Sequence, residues 1–146
     1  MHVPPPVIYI VGFLAGLLLQ RAFPVVSEGV RPRRVLGAAG LGLSVALAAP
    51  SLGLFVRART SPIPVKPATA LVTSGPYRFT RNPMYLGMVF AYAGLALWSG
   101  VVAALLVLPL VVVVVDRYVI AREERYLERA FGDQYRQYKV HVRRWL

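Results

Sequence analysis

Between Met84 and Val115 the chain carries no charged residue. As one helix this run would extend about 48 Å at 1.5 Å per residue, well beyond the roughly 30 Å hydrocarbon core of a bilayer. It has to break, and Trp98-Ser99-Gly100 supplies the break. The run then reads as an antiparallel helical hairpin, one helix over about Pro83–Trp98 and the next over about Val101–Ala121. The first of these is short, so its turn is expected to sit shallow in the far leaflet. Two further apolar segments, about Pro6–Phe23 and Val35–Val56, precede the hairpin. The first lacks the basic flank and the small-residue cleavage site of a secretory signal, since only His2 stands before it, and it is read as a membrane helix. The expected fold is therefore all-α and integral to the membrane. It has about four transmembrane helices, the last two a hairpin, with a helical C-terminal tail, in a single domain over residues 1–146.

Composition supports that class and removes several others. Hydrophobic residues make up 57% of the 146 residues and charged ones only 16%, too few for an ordinary soluble domain. Cysteine is absent, which excludes disulfides, thiolate nucleophiles and cysteine-held metal clusters. With His2 and His141 the only histidines, no metal site is expected. The net charge of +11 could suit nucleic acid in a soluble protein. Here the bases flank apolar segments, where they set topology and meet anionic headgroups, so no nucleic-acid partner is expected.

Four spans bring both termini and the 57–83 loop to one face. That loop holds Arg57, Arg59, Lys66, Arg78 and Arg81 and no acid, and the tail from Asp116 adds eight bases. Thirteen of the seventeen bases thus share one side, which the positive-inside rule makes cytoplasmic, against Arg21, Arg31, Arg33 and Arg34 on the other. The pairs Gly12/Gly16 and Ala49/Gly53 have the four-residue spacing that lets helix backbones approach closely. Gly37-Ala-Ala-Gly40-Leu-Gly42 superficially resembles a nucleotide-binding loop. It opens a membrane helix and follows no strand, so it too reads as a packing surface.

Two stretches carry possible chemistry. In the first, Gly75-Pro76 signals a turn, and Asn82-Pro83 has the form of a helix start with Asn as cap and Pro in the first turn. Free amides beside Arg81 would make an anion site there. The second stretch, Arg122 to Gly132, continues the fourth helix beyond the membrane face until the glycine stops it. Regular helical spacing puts Glu123 on an inward, mostly apolar stripe with Val112, Asp116, Val119, Ile120, Leu127 and Ala130. Glu124 shares the more polar face of Arg117 and Glu128. The hairpin returns the chain to its starting face, so Arg81 and the two carboxylates become neighbours. Opposite charges so arranged suit a zwitterion, such as the amino-acid end of a small molecule. Tyr77, Tyr85, Tyr126, Tyr135, Tyr138 and Trp145 add aromatic surface, which at an interface also anchors to headgroups.

Ser74-Gly-Pro-Tyr-Arg-Phe-Thr-Arg-Asn-Pro-Met-Tyr-Leu-Gly87, Glu123-Glu124-x-x-Leu127 and Phe131-Gly-Asp-Gln-Tyr135-x-x-Tyr138-x-x-x-Val142-Arg-Arg-Trp145 resemble the isoprenylcysteine carboxyl methyltransferase family. Its relatives include the phospholipid N-methyltransferases. The resemblance spans about residues 57–146; residues 1–56 match only as two generic membrane helices. It implies a membrane methyltransferase that uses S-adenosylmethionine and acts on a lipophilic acceptor. That acceptor could be a carboxylate, as in isoprenylcysteine, or a lipid. By the same resemblance Gly75, Pro76, Tyr77, Arg81, Asn82, Pro83, Tyr85, Gly87, Glu123 and Glu124 would contact the cofactor, with Arg81 and Glu123 nearest the chemistry. Many members have His where this chain has Asn82, so a histidine's proton-handling role does not carry over. A carboxylate acceptor needs no base; an amine would need one, for which Glu123, Tyr135 and His141 are the candidates. Two other readings compete: a nicotinamide-dependent membrane reductase of the sterol or enone type, and a non-enzymatic membrane scaffold. Adjacent carboxylates suit an ammonium better than a pyrophosphate, and a scaffold leaves Glu123 on its apolar stripe unexplained.

Overall fold

A computed structural model describes residues 4–25, 29–60 and 68–146. His2 and Lys66 of the sequence reading lie outside these. The described residues form helices and connecting turns, with no strand among them. The helices are α1 (Pro5–Ala22), α2 (Val30–Arg57), α3 (Pro83–Ser99), α4 (Ala104–Val114), α5 (Ala121–Phe131) and α6 (Asp133–His141). A 3-10 turn over Gly75–Arg78 precedes α3, and a π-helical segment over Val115–Ile120 joins α4 to α5 in one rod. Among the described residues three helices are long and apolar enough to cross a membrane: Pro5–Ala22, Val30–Arg57 and the rod Ala104–Phe131. The fourth, α3, is apolar but has 17 residues. The short third helix of the sequence reading is thus real.

Small residues set the helix pairing. Gly12 packs against Val111 and Gly16 against the backbone of Ala104, so α1 and α4 run antiparallel at close range. Likewise Gly37 meets Trp98 and Gly94, Gly40 meets Gly94, and Gly87 meets Ser44, Leu47 and Ala48, which aligns α2 antiparallel to α3. Gly37 and Gly40 are therefore packing positions, as the place of the run at the start of a membrane helix suggests, whereas a Cβ at Gly42 would meet nothing within 4 Å. The Ala49/Gly53 pair is not a packing surface: a Cβ at Gly53 would meet nothing within 4 Å. Small-residue spacing permits close approach without compelling it.

The break between α3 and α4 falls where the sequence puts it. Gly100 ends α3 with φ +86, a left-handed conformation that costs glycine little, and donates its amide to the Ala96 carbonyl at 3.0 Å. Tyr92 and Tyr9 clamp the hairpin from within, donating to the carbonyls of Ala104 at 3.0 Å and Tyr85 at 3.3 Å. Antiparallel pairing gathers the beginnings of α1 and α3, the end of α2 and all of α5 at one end of the bundle. The other end holds the beginning of α2 and the end of α3.

The π segment changes the expected orientation of the rod. A straight helix continues an inward stripe in steps of three and four. The buried positions here are Val111, Val115, Ile120 and Glu124, so one step is five residues long, across the π turn. One extra residue rotates everything downstream by about 100°. Glu124 therefore takes the inward place that regular spacing assigns to Glu123, and Ala130, expected on the stripe, is exposed.

Candidate active site

The C-terminal tail closes over the start of α3 and fixes the residues there. Arg81 donates its amide to the Arg143 carbonyl at 2.9 Å, and Thr80 Oγ1 donates to the Arg144 carbonyl at 3.2 Å. Asn82 occupies the residue before α3, but its side chain does not cap the helix as expected. Its Nδ2 instead donates to the Arg144 carbonyl at 2.9 Å, while Thr80 Oγ1 accepts its amide at 3.1 Å. The first turn of α3 is thus left without a capping side chain. Pro83 opens it, fully buried, where a missing amide removes no helical bond.

This docking assembles a charge network. Glu124, only 7% exposed, is held on two sides. Arg144 grips it with two hydrogen bonds, Nε to Oε1 at 3.1 Å and Nη2 to Oε2 at 2.5 Å, and Arg81 Nη1 lies 3.2 Å from Oε1. Arg144 also reaches Asp116 at 3.1 Å, and Trp145 Nε1 donates to Asp116 at 2.9 Å. Its bonds to Glu124 hold the Arg144 guanidinium above the usual arginine range. Arg81 is only partly satisfied, because its contact with Glu124 lies off the hydrogen-bond direction and its Nε is buried without a hydrogen-bond partner among the described residues. Glu123 lies apart from these arginines and accepts a hydrogen bond from the Tyr85 hydroxyl at 2.6 Å.

Three further phenols line the cluster. Burial, the Tyr138 hydroxyl and Glu123 together hold the Tyr77 phenol above its ordinary range. Tyr138 in turn donates to the Tyr77 carbonyl at 2.7 Å. Burial and then Glu124 push Tyr135 up to about 12, against the opposing pull of Arg81. Tyr135 thus faces the Arg81–Glu124 pair as a neutral phenol at physiological pH.

The sequence-predicted residues divide between four locations. Arg81, Asn82, Tyr85, Glu123 and Glu124 come together at the start of α3, with Tyr77 beside them and Pro83 beneath. Gly75 and Pro76 line a separate cavity of about 350 Å³ with Ala49, Gly53, Leu54 and Arg57, on the same end of the bundle. Gly87 faces α2 as a packing residue. His141 lies on the exposed side of α6, bonded to the Gln137 carbonyl at 2.8 Å. Site expectations based on sequence omitted Arg144, Asp116 and Thr80. A signal existed for the first two: Asp116 stood on the inward stripe, and Arg144 lay in the tail motif ending at Trp145. Thr80 likewise lay within the Ser74–Gly87 motif, but had no role assigned to it.

A 63-residue protein of Haemophilus influenzae, described only as uncharacterized, is 46% identical over its whole length and 43% of this chain. No solved structure matches. The profile of the phospholipid methyltransferase family matches residues 32–134. That match takes in α2, the α3–α4 hairpin, Arg81 and both glutamates, and so includes a helix that the motifs alone left generic. The chain belongs to the phospholipid methyltransferase family, in the same group as the isoprenylcysteine carboxyl methyltransferases.

Proposed function

We propose that this protein transfers a methyl group from S-adenosylmethionine to a lipophilic acceptor that reaches the site from the bilayer. The observation that carries the reading is Arg81, a half-satisfied buried guanidinium at the uncapped start of α3, with the Glu124 carboxylate beside it and Glu123 bonded to Tyr85 in the first turn of the same helix. The donor set fits a zwitterionic amino-acid group. Arg81 and the first-turn amides would take its carboxylate, and Glu123, whose Oε1 accepts from the neutral Tyr85 hydroxyl, would take its ammonium. S-adenosylmethionine supplies an already activated methyl group, so positioning provides most of the acceleration. Glu124 and Arg144 act through Arg81: their pairing holds the guanidinium against the start of α3.

The acceptor is best suited by a group that needs no deprotonation. Tyr135 keeps its proton at neutral pH, His141 lies on the exposed side of α6, and Glu123 is assigned to the ammonium of the methyl donor, so none of the three base candidates is left to deprotonate an acceptor. A carboxylate on a lipophilic molecule meets that condition. We assign this end of the bundle to the cytoplasmic face on the thirteen-to-four distribution of bases.

The test is transfer of labelled methyl from S-adenosylmethionine in membranes containing the protein, with identification of the labelled product. A labelled lipophilic product lost with Arg81→Ala is expected. Binding of reduced nicotinamide dinucleotide but not S-adenosylmethionine by the purified protein would overturn the reading. For sidedness, reporters fused after Leu146 and within Val30–Arg34 should give opposite signals, and an outward C-terminus would reverse the assignment.

A further inference from the structure

The arginine cluster Arg31–Arg34 stands against the overall charge bias and takes no part in the site above. At that end of the bundle Arg33 is committed to the fold: its guanidinium packs against Gly100, where the carbonyl end of α3 favours a cation. Arg31 and Arg34 are not committed. With Val35 and Ala38 they lie at helical spacing on one exposed face of α2, and with Val30 and Trp98 they line a cavity of about 440 Å³. Neither forms an ion pair among the described residues, where every described acid lies at the opposite end, from Asp116 onward.

We propose that this cavity binds an anionic phospholipid. Its phosphate is held by Arg31 and Arg34, its glycerol region lies against the half-exposed Trp98 indole, and its acyl chain follows Val35 and Ala38 along α2. The geometry selects that chemistry over a free anion. Two cations and an apolar strip, Val35 and Ala38, share one exposed face of α2, which matches a molecule charged at one end and aliphatic at the other. An indole at the level of the cations suits an interface. The site also accounts for bases on the face where the positive-inside rule expects few, because a bound phosphate neutralises them.

The test is native mass spectrometry of the full-length protein in neutral detergent, offered phosphatidylglycerol or phosphatidylcholine of equal chain length, or inorganic phosphate. Phosphatidylglycerol should be retained roughly tenfold better than phosphatidylcholine, because both present a phosphate but the choline cation of the second is repelled by the two arginines; tenfold corresponds to about 1.4 kcal/mol. Arg31→Gln/Arg34→Gln should abolish the preference, while the charge-matched Arg125→Gln/Arg129→Gln keeps it. Trp98→Ala should weaken retention and leave the headgroup preference. Equal retention of the two lipids, or equal loss in both double variants, would overturn the proposal. So would displacement of the lipid by millimolar phosphate, which would mark a free-anion site. The arginines targeted are exposed, and melting temperatures of both double variants, expected near the parent's, separate binding from unfolding.

Discussion

The two ends of the bundle use arginine in opposite ways. Where α3 begins, Arg81 and Arg144 are matched by Glu124 and Asp116, Trp145 and the tail carbonyls complete the network, and the charges are buried or half-buried. Where α2 begins, Arg31 and Arg34 are exposed and face no described acid. The difference lies in what each end costs when left alone. A buried network depends on its own members for its counter-charges, so removing one member strands the others. Exposed cations lose nothing internal when removed and reveal themselves only through an external counterion. One end should therefore respond to mutation in stability and ligand affinity, the other in lipid binding alone.

The largest expected effect comes from Glu124→Gln, which leaves Arg81 and Arg144 facing a neutral amide. Losing one partner of such a buried set should cost on the order of 3 kcal/mol, read as a fall in melting temperature in detergent. A melting temperature like the parent's would mean the network contributes no more than surface charge.

Next in size is the effect on the cofactor. Arg81→Ala and Glu123→Gln should each weaken S-adenosylmethionine binding by about 1.5–3 kcal/mol, roughly tenfold or more, measured by isothermal titration. Glu123→Gln keeps an acceptor for Tyr85 and should melt close to the parent, which separates it from Glu124→Gln. Arg57→Ala and Arg59→Ala should change affinity little. Uniform losses across all the arginines would turn the site into a general positive field. Unchanged affinity in Glu123→Gln would leave that carboxylate a structural partner of Tyr85.

A smaller effect is expected from Tyr85→Phe. It removes the 2.6 Å hydrogen bond to Glu123 and should lower stability by about 1 kcal/mol in chemical denaturation. The smallest belongs to the other end: Arg31→Gln/Arg34→Gln should shift stability in lipid-free detergent by no more than about 0.5 kcal/mol. A loss as large as that of Glu124→Gln would show that these arginines have partners within the fold and would erase the contrast between the ends.

The sequence by itself determined the class of protein, the helix order and the hairpin, because these follow from runs of apolar residues and from Gly100 and Gly132, which are local properties. It also brought Arg81 and the glutamates to one end, since a hairpin returns the chain to its start. Only the tertiary structure decided that Glu124, and not Glu123, is the more deeply buried of the two glutamates at the site. The π turn at Val115–Ile120 adds one residue to one step of the stripe, and no residue in that segment announces it, so a straight helix read from the sequence rotates Glu123 into the place of Glu124. The side-chain partner of Asn82 was equally undecided. The local pattern favours a cap, but the carbonyl of Arg144, 62 positions away, offers a competing acceptor once the tail docks. Periodicity and turn chemistry act over a few residues and are legible in order. Competition between a local partner and a distant one is resolved only when the distant one arrives.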